Sequence, residues 1–206
     1  MTSAFTWGRE ATHSLAIAGA LALPLLLAAC GADEDPSLPV CDEALCTVDD
    51  RDGDGDGVQT TVVHAEDDKK PIYFSFAAPG QALSAEEIDA GAWDLAFAQT
   101  EIRVNGGTNG DGGVEVTWTD DLGIKDADAA PSDGWVSDTD DDVAFAQDKG
   151  WYRYDILKHV VEPRDRLYYV RATDGLVYAV EMISYYDHTG EVRYPTFDWI
   201  ALDSEG

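Results

Sequence analysis

Beyond residue 29, the histidines and methionines of this 206-residue chain are His64, His159, His188 and Met182. Imidazole and thioether groups ligate transition metals, and imidazole also moves protons near neutral pH. A second group of donors is hard rather than soft. In "DDRDGDGDGV", Asp52, Asp54, Asp56 and Gly57 place oxygen ligands at alternate positions before a glycine bend, as the first half of a calcium loop does. The second half departs from that pattern: the twelfth position from Asp52 is Val63, where a bidentate glutamate is needed, and no flanking helices are evident. The expectation is weak calcium binding of the extracellular kind, or only diffuse attraction of counterions.

Catalytic residues are not expected. The chain has no G-x-S-x-G elbow, no H-E-x-x-H and no cysteine with an activating histidine. Asp187-His188 are adjacent, and neighbours in a strand or turn point apart. The glycine-rich stretch "NGGTNGDGG", Asn105 to Gly113, could suggest a phosphate cradle, but it leads into "VEVTWT". That segment alternates like a strand, whereas a cradle requires a following helix N-terminus. The glycines therefore read as a connection between strands, in a hairpin that follows one long strand from Trp93.

Arg9 and His13 precede the apolar run from Leu15, which ends in Leu27-Ala28-Ala29-Cys30. Residues 1–29 read as an export signal and Cys30 as a lipidation site, the alternatives being an ordinary signal peptide or an uncleaved anchor. Loss of that segment removes one base and one acid, so the formal charge stays at −28. Such a charge disfavours nucleic acid and suits solubility and cation attraction. In an oxidising compartment Cys41 and Cys46 are an even pair expected to form a disulfide, two free thiols in a tail being the alternative.

Residues 30–60 are acidic and poor in large apolar side chains, which predicts a flexible tether before a folded domain at 61–206. The domain reads as all-β, mainly antiparallel sheets with long hairpins and one short helix. That helix is expected at "SAEEIDAG", with Ser84 as N-cap, Glu87 closing a capping box and Gly91 ending it. Asp174-Gly175 predicts a two-residue hairpin turn that pairs Thr173 with Leu176. One face of that hairpin then has Leu167, Tyr169, Tyr178, Val180 and Met182, and the other Tyr168, Val170, Ala172, Val177, Ala179 and Ile183. Both faces are apolar, so the hairpin is central. From Asp126 to Asp148 there are eight acids and no base, which predicts an exposed excursion carrying Trp135.

Three blocks in this order resemble the HmuY family of bacterial surface lipoproteins, named for a haem-binding member. The first is Trp93-Asp94-Leu95-Ala96-Phe97 with Arg103-Val104-Asn105-Gly106-Gly107. The second is Gly150-Trp151-Tyr152-Arg153-Tyr154-Asp155 with His159 and Pro163. The third is Val170-Arg171-Ala172-Thr173-Asp174-Gly175, then Ile183-Ser184-Tyr185-Tyr186 and Tyr194-Pro195-Thr196-Phe197. The resemblance implies an all-β fold, an outer-membrane lipid anchor facing the periplasm or cell surface, and capture of haem, free or from a haem protein, for an outer-membrane receptor. The alternative is a structural or interaction lipoprotein of the same fold. Haem needs axial ligands in an apolar setting with cations near its propionates. His159, His188 and Met182 are the candidate ligands, and Arg153, Arg164, Arg166 and Arg171 the candidate cations.

Overall fold

The computed structural model describes residues 32–202. The signal segment and Cys30 lie outside them. In chain order the strands are β1 (Leu45–Asp49), β2 (Gln59–Val63), β3 (Ile72–Phe74), β4 (Leu95–Ala98), β5 (Glu101–Val104), β6 (Glu115–Asp120), β7 (Tyr152–Asp155), β8 (Val160–Pro163), β9 (Arg166–Arg171), β10 (Val177–Tyr186) and β11 (Val192–Ala201). Among the described residues one α-helix, α1 (Ala85–Asp89), follows β3. The fold is all-β. Every strand pairing is antiparallel, in a six-stranded sheet ordered β1-β2-β11-β10-β9-β6, a three-stranded sheet β3-β4-β5 and the two-stranded β7-β8. Among the described residues, no helix is long and apolar enough to cross a membrane.

The first two sheets enclose the main core. Phe74 and Phe97 of the smaller sheet meet Phe197 of β11 at ring separations of 5.3 and 5.4 Å. Phe76, Tyr178 and Trp199 extend the same layer. Burial of such rings contributes more than any polar contact in the molecule, because each removes a large apolar area from water. The opposite face of the six-stranded sheet is also covered: Ile124 and partly buried Trp135 pack on Leu167, Tyr169 and Ala179. The excursion after Asp126 is therefore folded back rather than exposed. Val136 bridges Val116, Asp138 is buried, and Phe145 enters the main core. Its acids remain on the outside except Asp138, whose carboxylate accepts from the amides of Val104 and Ala144.

The predicted tether also differs. The segment that was expected to float up to residue 60 contributes β1, with Leu38 and Leu45 buried. An edge strand needs only one deep anchor, and Leu45 supplies it while the neighbouring acids face water. Cys41 and Cys46 are joined by a disulfide with their Cα atoms 6.0 Å apart. The long strand expected from Trp93 is two strands, reversed at Gln99, whose φ of 56° is left-handed.

The Asn105–Gly113 connection joins β5 to β6, which belong to different sheets, so it is not a hairpin loop. Buried Asn105 organises it, donating to the carbonyls of Gly91 and Trp93 and accepting from the Gly112 amide. A Cβ on Gly106 would lie 2.1 Å from the Val114 carbonyl oxygen, so the glycines serve close packing and not phosphate. Helix α1 has the expected capping box between Ser84 and Glu87.

The β9–β10 hairpin is central but its register is one residue from the expected one. Tyr178 pairs with Val170 and Val180 with Tyr168, leaving a three-residue loop in which Gly175 has φ of 85°. The slip exchanges face-mates: Tyr168, Val170, Tyr178, Val180 and Met182 share the main core, and Leu167, Tyr169 and Ala179 the outer one.

Candidate functional site

The β7–β8 hairpin stands apart from both larger sheets. Its base is fixed: Trp151 is buried and donates its Nε1 hydrogen to the Thr100 carbonyl at 2.8 Å. Along β8, the Val161 amide donates to the Tyr186 hydroxyl at 2.8 Å, which props the hairpin against the end of β10. Its tip is different. Asp155 accepts from the amides of Lys158 and Leu157, and these bonds hold its carboxyl below the usual range. They close a tight turn in which His159 takes a φ of 58°. Ile156 is 73% exposed and Leu157 94% exposed.

His159 Nδ1 lies 2.9 Å from the Tyr154 hydroxyl, two exposed rings joined across the hairpin. A partner on one imidazole nitrogen fixes ring orientation and leaves the other for a ligand, the arrangement common to metal-binding histidines. Lys158 lies 3.7 Å from Asp155 and 3.6 Å from Glu162, and Arg153 donates to Glu162. The hairpin is thus a patch of aliphatic and aromatic surface edged by cations, on an otherwise acidic molecule.

The other candidate ligands occupy different settings. His188 is in the turn between β10 and β11; its carbonyl accepts from the Asp35 amide, and its Nδ1 is buried without a partner. Since Tyr186 braces the β7–β8 hairpin, His188 begins the turn at the same end of the sheet. Met182 is a core residue, 4% exposed and opposite Phe197, where its thioether packs among apolar side chains. His64 stacks on Tyr194 with ring centroids 4.3 Å apart. Of the four arginines, Arg166 is buried against Asp120 and Asp148, while Arg171 is held by Glu115 and lies over Trp135. Only Arg153 and Arg164 remain near the hairpin. Tyr154, the partner of His159, was not evident from sequence, because its contact depends on how the turn closes.

The aspartate loop joins β1 to β2. Asp50, Asp52, Asp54 and Asp56 each bring a carboxylate oxygen within 4.8 Å of the others. Asp50 extends the alternate spacing by one step and was legible on that ground. Lys125 reaches into the group, 2.8 Å from Asp52, bonded to Asp54 and 3.5 Å from Asp56. Its ammonium holds the Asp52 carboxyl low and is itself pushed up by these carboxylates.

With fold and hairpin in view, the class is an all-β fold with long antiparallel strands. The HmuY protein family profile matches residues 67–153, which includes the first block and the start of the second. Solved structures share the fold. A candidate lipoprotein of Bacteroides fragilis is 22% identical, with a TM-score of 0.54 over 78% of this chain and 97% of that one. The apo HmuY analog of Tannerella forsythia is 12% identical, with a TM-score of 0.54 over 77% and 97%. Apo PinO from Porphyromonas gingivitis is 15% identical, with a TM-score of 0.52 over 71% and 97%. No curated protein sequence matches the chain.

Proposed function

We propose that this chain is an exported lipoprotein, acylated at Cys30 and held at the outer membrane, that binds haem for passage to an outer-membrane receptor. The observation that carries the reading is His159, oriented by Tyr154 beside exposed Ile156 and Leu157 in a chain that matches the HmuY profile. The donor set suits haem: one imidazole for iron, apolar side chains for the ring, and Arg153 with Arg164 for the propionates. His188 is the second ligand candidate. The anionic surface opposes the propionates, so affinity is modest. Titrating the full chain and following the Soret band tests this. His159→Ala should shift the band and weaken binding at least about tenfold, the loss of about 1.4 kcal/mol; Met182→Leu should change neither. If His159→Ala and His188→Ala both titrate like the parent, the protein is a structural or interaction lipoprotein instead.

A second reading concerns calcium at Asp50, Asp52, Asp54 and Asp56. It is favoured by the Asp50 Oδ1 atom, buried without a partner beside three further carboxylates. Lys125 supplies a positive charge there and competes with any cation, so binding is near-millimolar. Calorimetry should show tighter calcium binding in Lys125→Met and none in Asp54→Ala/Asp56→Ala. Equal heats from all three proteins leave only counterion attraction.

A further inference from the structure

A cavity of about 400 Å³ lies between the β4–β5 turn, the 3-10 turn at Ala144–Ala146 and the start of β7. Ile102, Phe145 and Trp151 are buried beneath it and give it an apolar floor. Its rim includes Lys149 and Tyr152. Neither the candidate haem ligands nor the aspartate loop contributes to it.

The rim is built in an unusual way. Asp148, Lys149 and Gly150 have successive φ values of 45°, 76° and 71°, a left-handed run that two non-glycine residues rarely adopt. The run is held from several directions. Buried Arg166 donates to the Asp148 carboxylate at 3.1 Å and to the Gln147 carbonyl at 3.4 Å. The Gly150 amide donates to the Gln147 carbonyl at 3.0 Å, and Arg164 donates to the Lys149 carbonyl at 3.4 Å. Backbone held against its preference clusters at ligand clamps, where the surrounding contacts over-determine one conformation. Here those contacts set Lys149 at the cavity mouth. Among the described residues, Lys149 has no carboxylate within ion-pair distance, whereas Lys125 and Lys158 are both paired. Glu101, the acid on the same rim, is engaged by Arg103.

We infer that this cavity is a second binding site, for a small organic monocarboxylate with a planar apolar body, whose carboxylate is bound by Lys149 and whose ring lies over Phe145 and Trp151. The volume is in the range of small-molecule pockets. Charge selects within that range. A polyphosphate meets the repulsion of a chain with net charge −28, while one carboxylate is matched by one local ammonium. Polarity fixes the orientation: on the far side of Ala146 a second hollow is bordered by Asp140, Asp141 and Asp142, which repel a carboxylate turned that way.

The test is titration of the full chain with 1-naphthoate, by calorimetry and saturation-transfer NMR, beside the neutral 1-naphthamide. Lys149→Gln should weaken naphthoate at least about tenfold, and the amide should bind at least about tenfold more weakly than the acid. Ala146→Trp, which fills the cavity from an exposed position, should abolish binding, with an unchanged melting curve showing that the fold is kept. The inference fails if naphthoate does not bind at about 10 mM, if both variants bind it like the parent, or if acid and amide bind equally. It also fails if one equivalent of haem displaces naphthoate, since the cavity would then belong to the haem site. Loss of haem binding in His159→Ala with naphthoate binding intact supports two separate sites.

Discussion

Two hairpins in this molecule are rich in aromatic and aliphatic side chains, and the chain treats them oppositely. In β9–β10 both faces are covered; Tyr168, stacked 4.5 Å from Phe145, is 1% exposed and burial pushes its hydroxyl up to about 12. In β7–β8 Trp151 anchors the base and Val160 and Val161 hold β8 to the core, while the apolar turn at Ile156 and Leu157 stays in water. Apolar residues flanked by strands on both sides are committed to folding. At the end of a two-stranded projection they remain available for a ligand, and their exposure is tolerated because the tip contributes little to the core.

The comparison predicts a steep contrast in stability. Tyr168→Ala should destabilise by about 3–5 kcal/mol and lower Tm by about 10 °C or more, measured by thermal and urea unfolding. A result within about 1 kcal/mol of the parent would mean the central hairpin is not the folding element described. Deleting residues 32–57 is the next largest effect. Loss of β1, Leu38 and Leu45 should cost about 2–4 kcal/mol, whereas a true tether would cost nothing. On the projecting hairpin the effect moves from stability to binding: Tyr154→Phe should weaken haem by about 2–10-fold, by freeing the His159 ring, with Tm unchanged.

A smaller, pH-dependent effect comes from the outer face of β10. Burial pushes the Glu181 carboxyl up despite the bond it accepts from the Ile124 amide at 2.6 Å. With a folded value above the unfolded one, its protonation stabilises the fold below the unfolded value near 4.5, and that contribution is lost as pH rises through the folded value. Glu181→Gln, which keeps the acceptor, should therefore raise Tm by about 2 °C at pH 7–8 and by progressively less towards pH 4. Smallest of all, Leu157→Ala should change stability by less than about 0.5 kcal/mol, since the side chain is 94% exposed.

Much of this contrast was legible in the sequence, and the exceptions have physical causes. The capping box at Ser84 and Glu87 is a local interaction, so four residues sufficed to read it. The apolar runs of β9 and β10 revealed a central hairpin, but register depends on loop geometry. Asp174-Gly175 serves a two-residue or a three-residue loop, and the structure uses the latter. Gln99 carries no turn signature; its left-handed backbone is imposed by the sheet around it, as the Gln99 amide donates to the Ala65 carbonyl. The Asp126–Asp148 acids hid a segment anchored by only a few residues, chiefly Val136, Asp138 and Phe145. For the sites, spacing alone indicated Asp52, Asp54 and Asp56. Lys125, far away in sequence, became visible only when the fold brought it to them.

The entry of the chain into the fold has a mechanical consequence. Ala32 packs beside Gly190, where a Cβ would lie 2.3 Å from the Ala32 carbonyl oxygen, and the Asp35 amide donates to the His188 carbonyl. With an acyl group on Cys30, only two Cα–Cα steps, about 7–8 Å of chain, separate the bilayer attachment from packed structure. Such a protein is not a buoy on a line. Under the proposed acylation it would rest against the lipid like a hinged plate, pivoting about the β10–β11 turn, with the hairpin braced by Tyr186 on that edge, so a ligand released there would start its diffusion at the membrane surface.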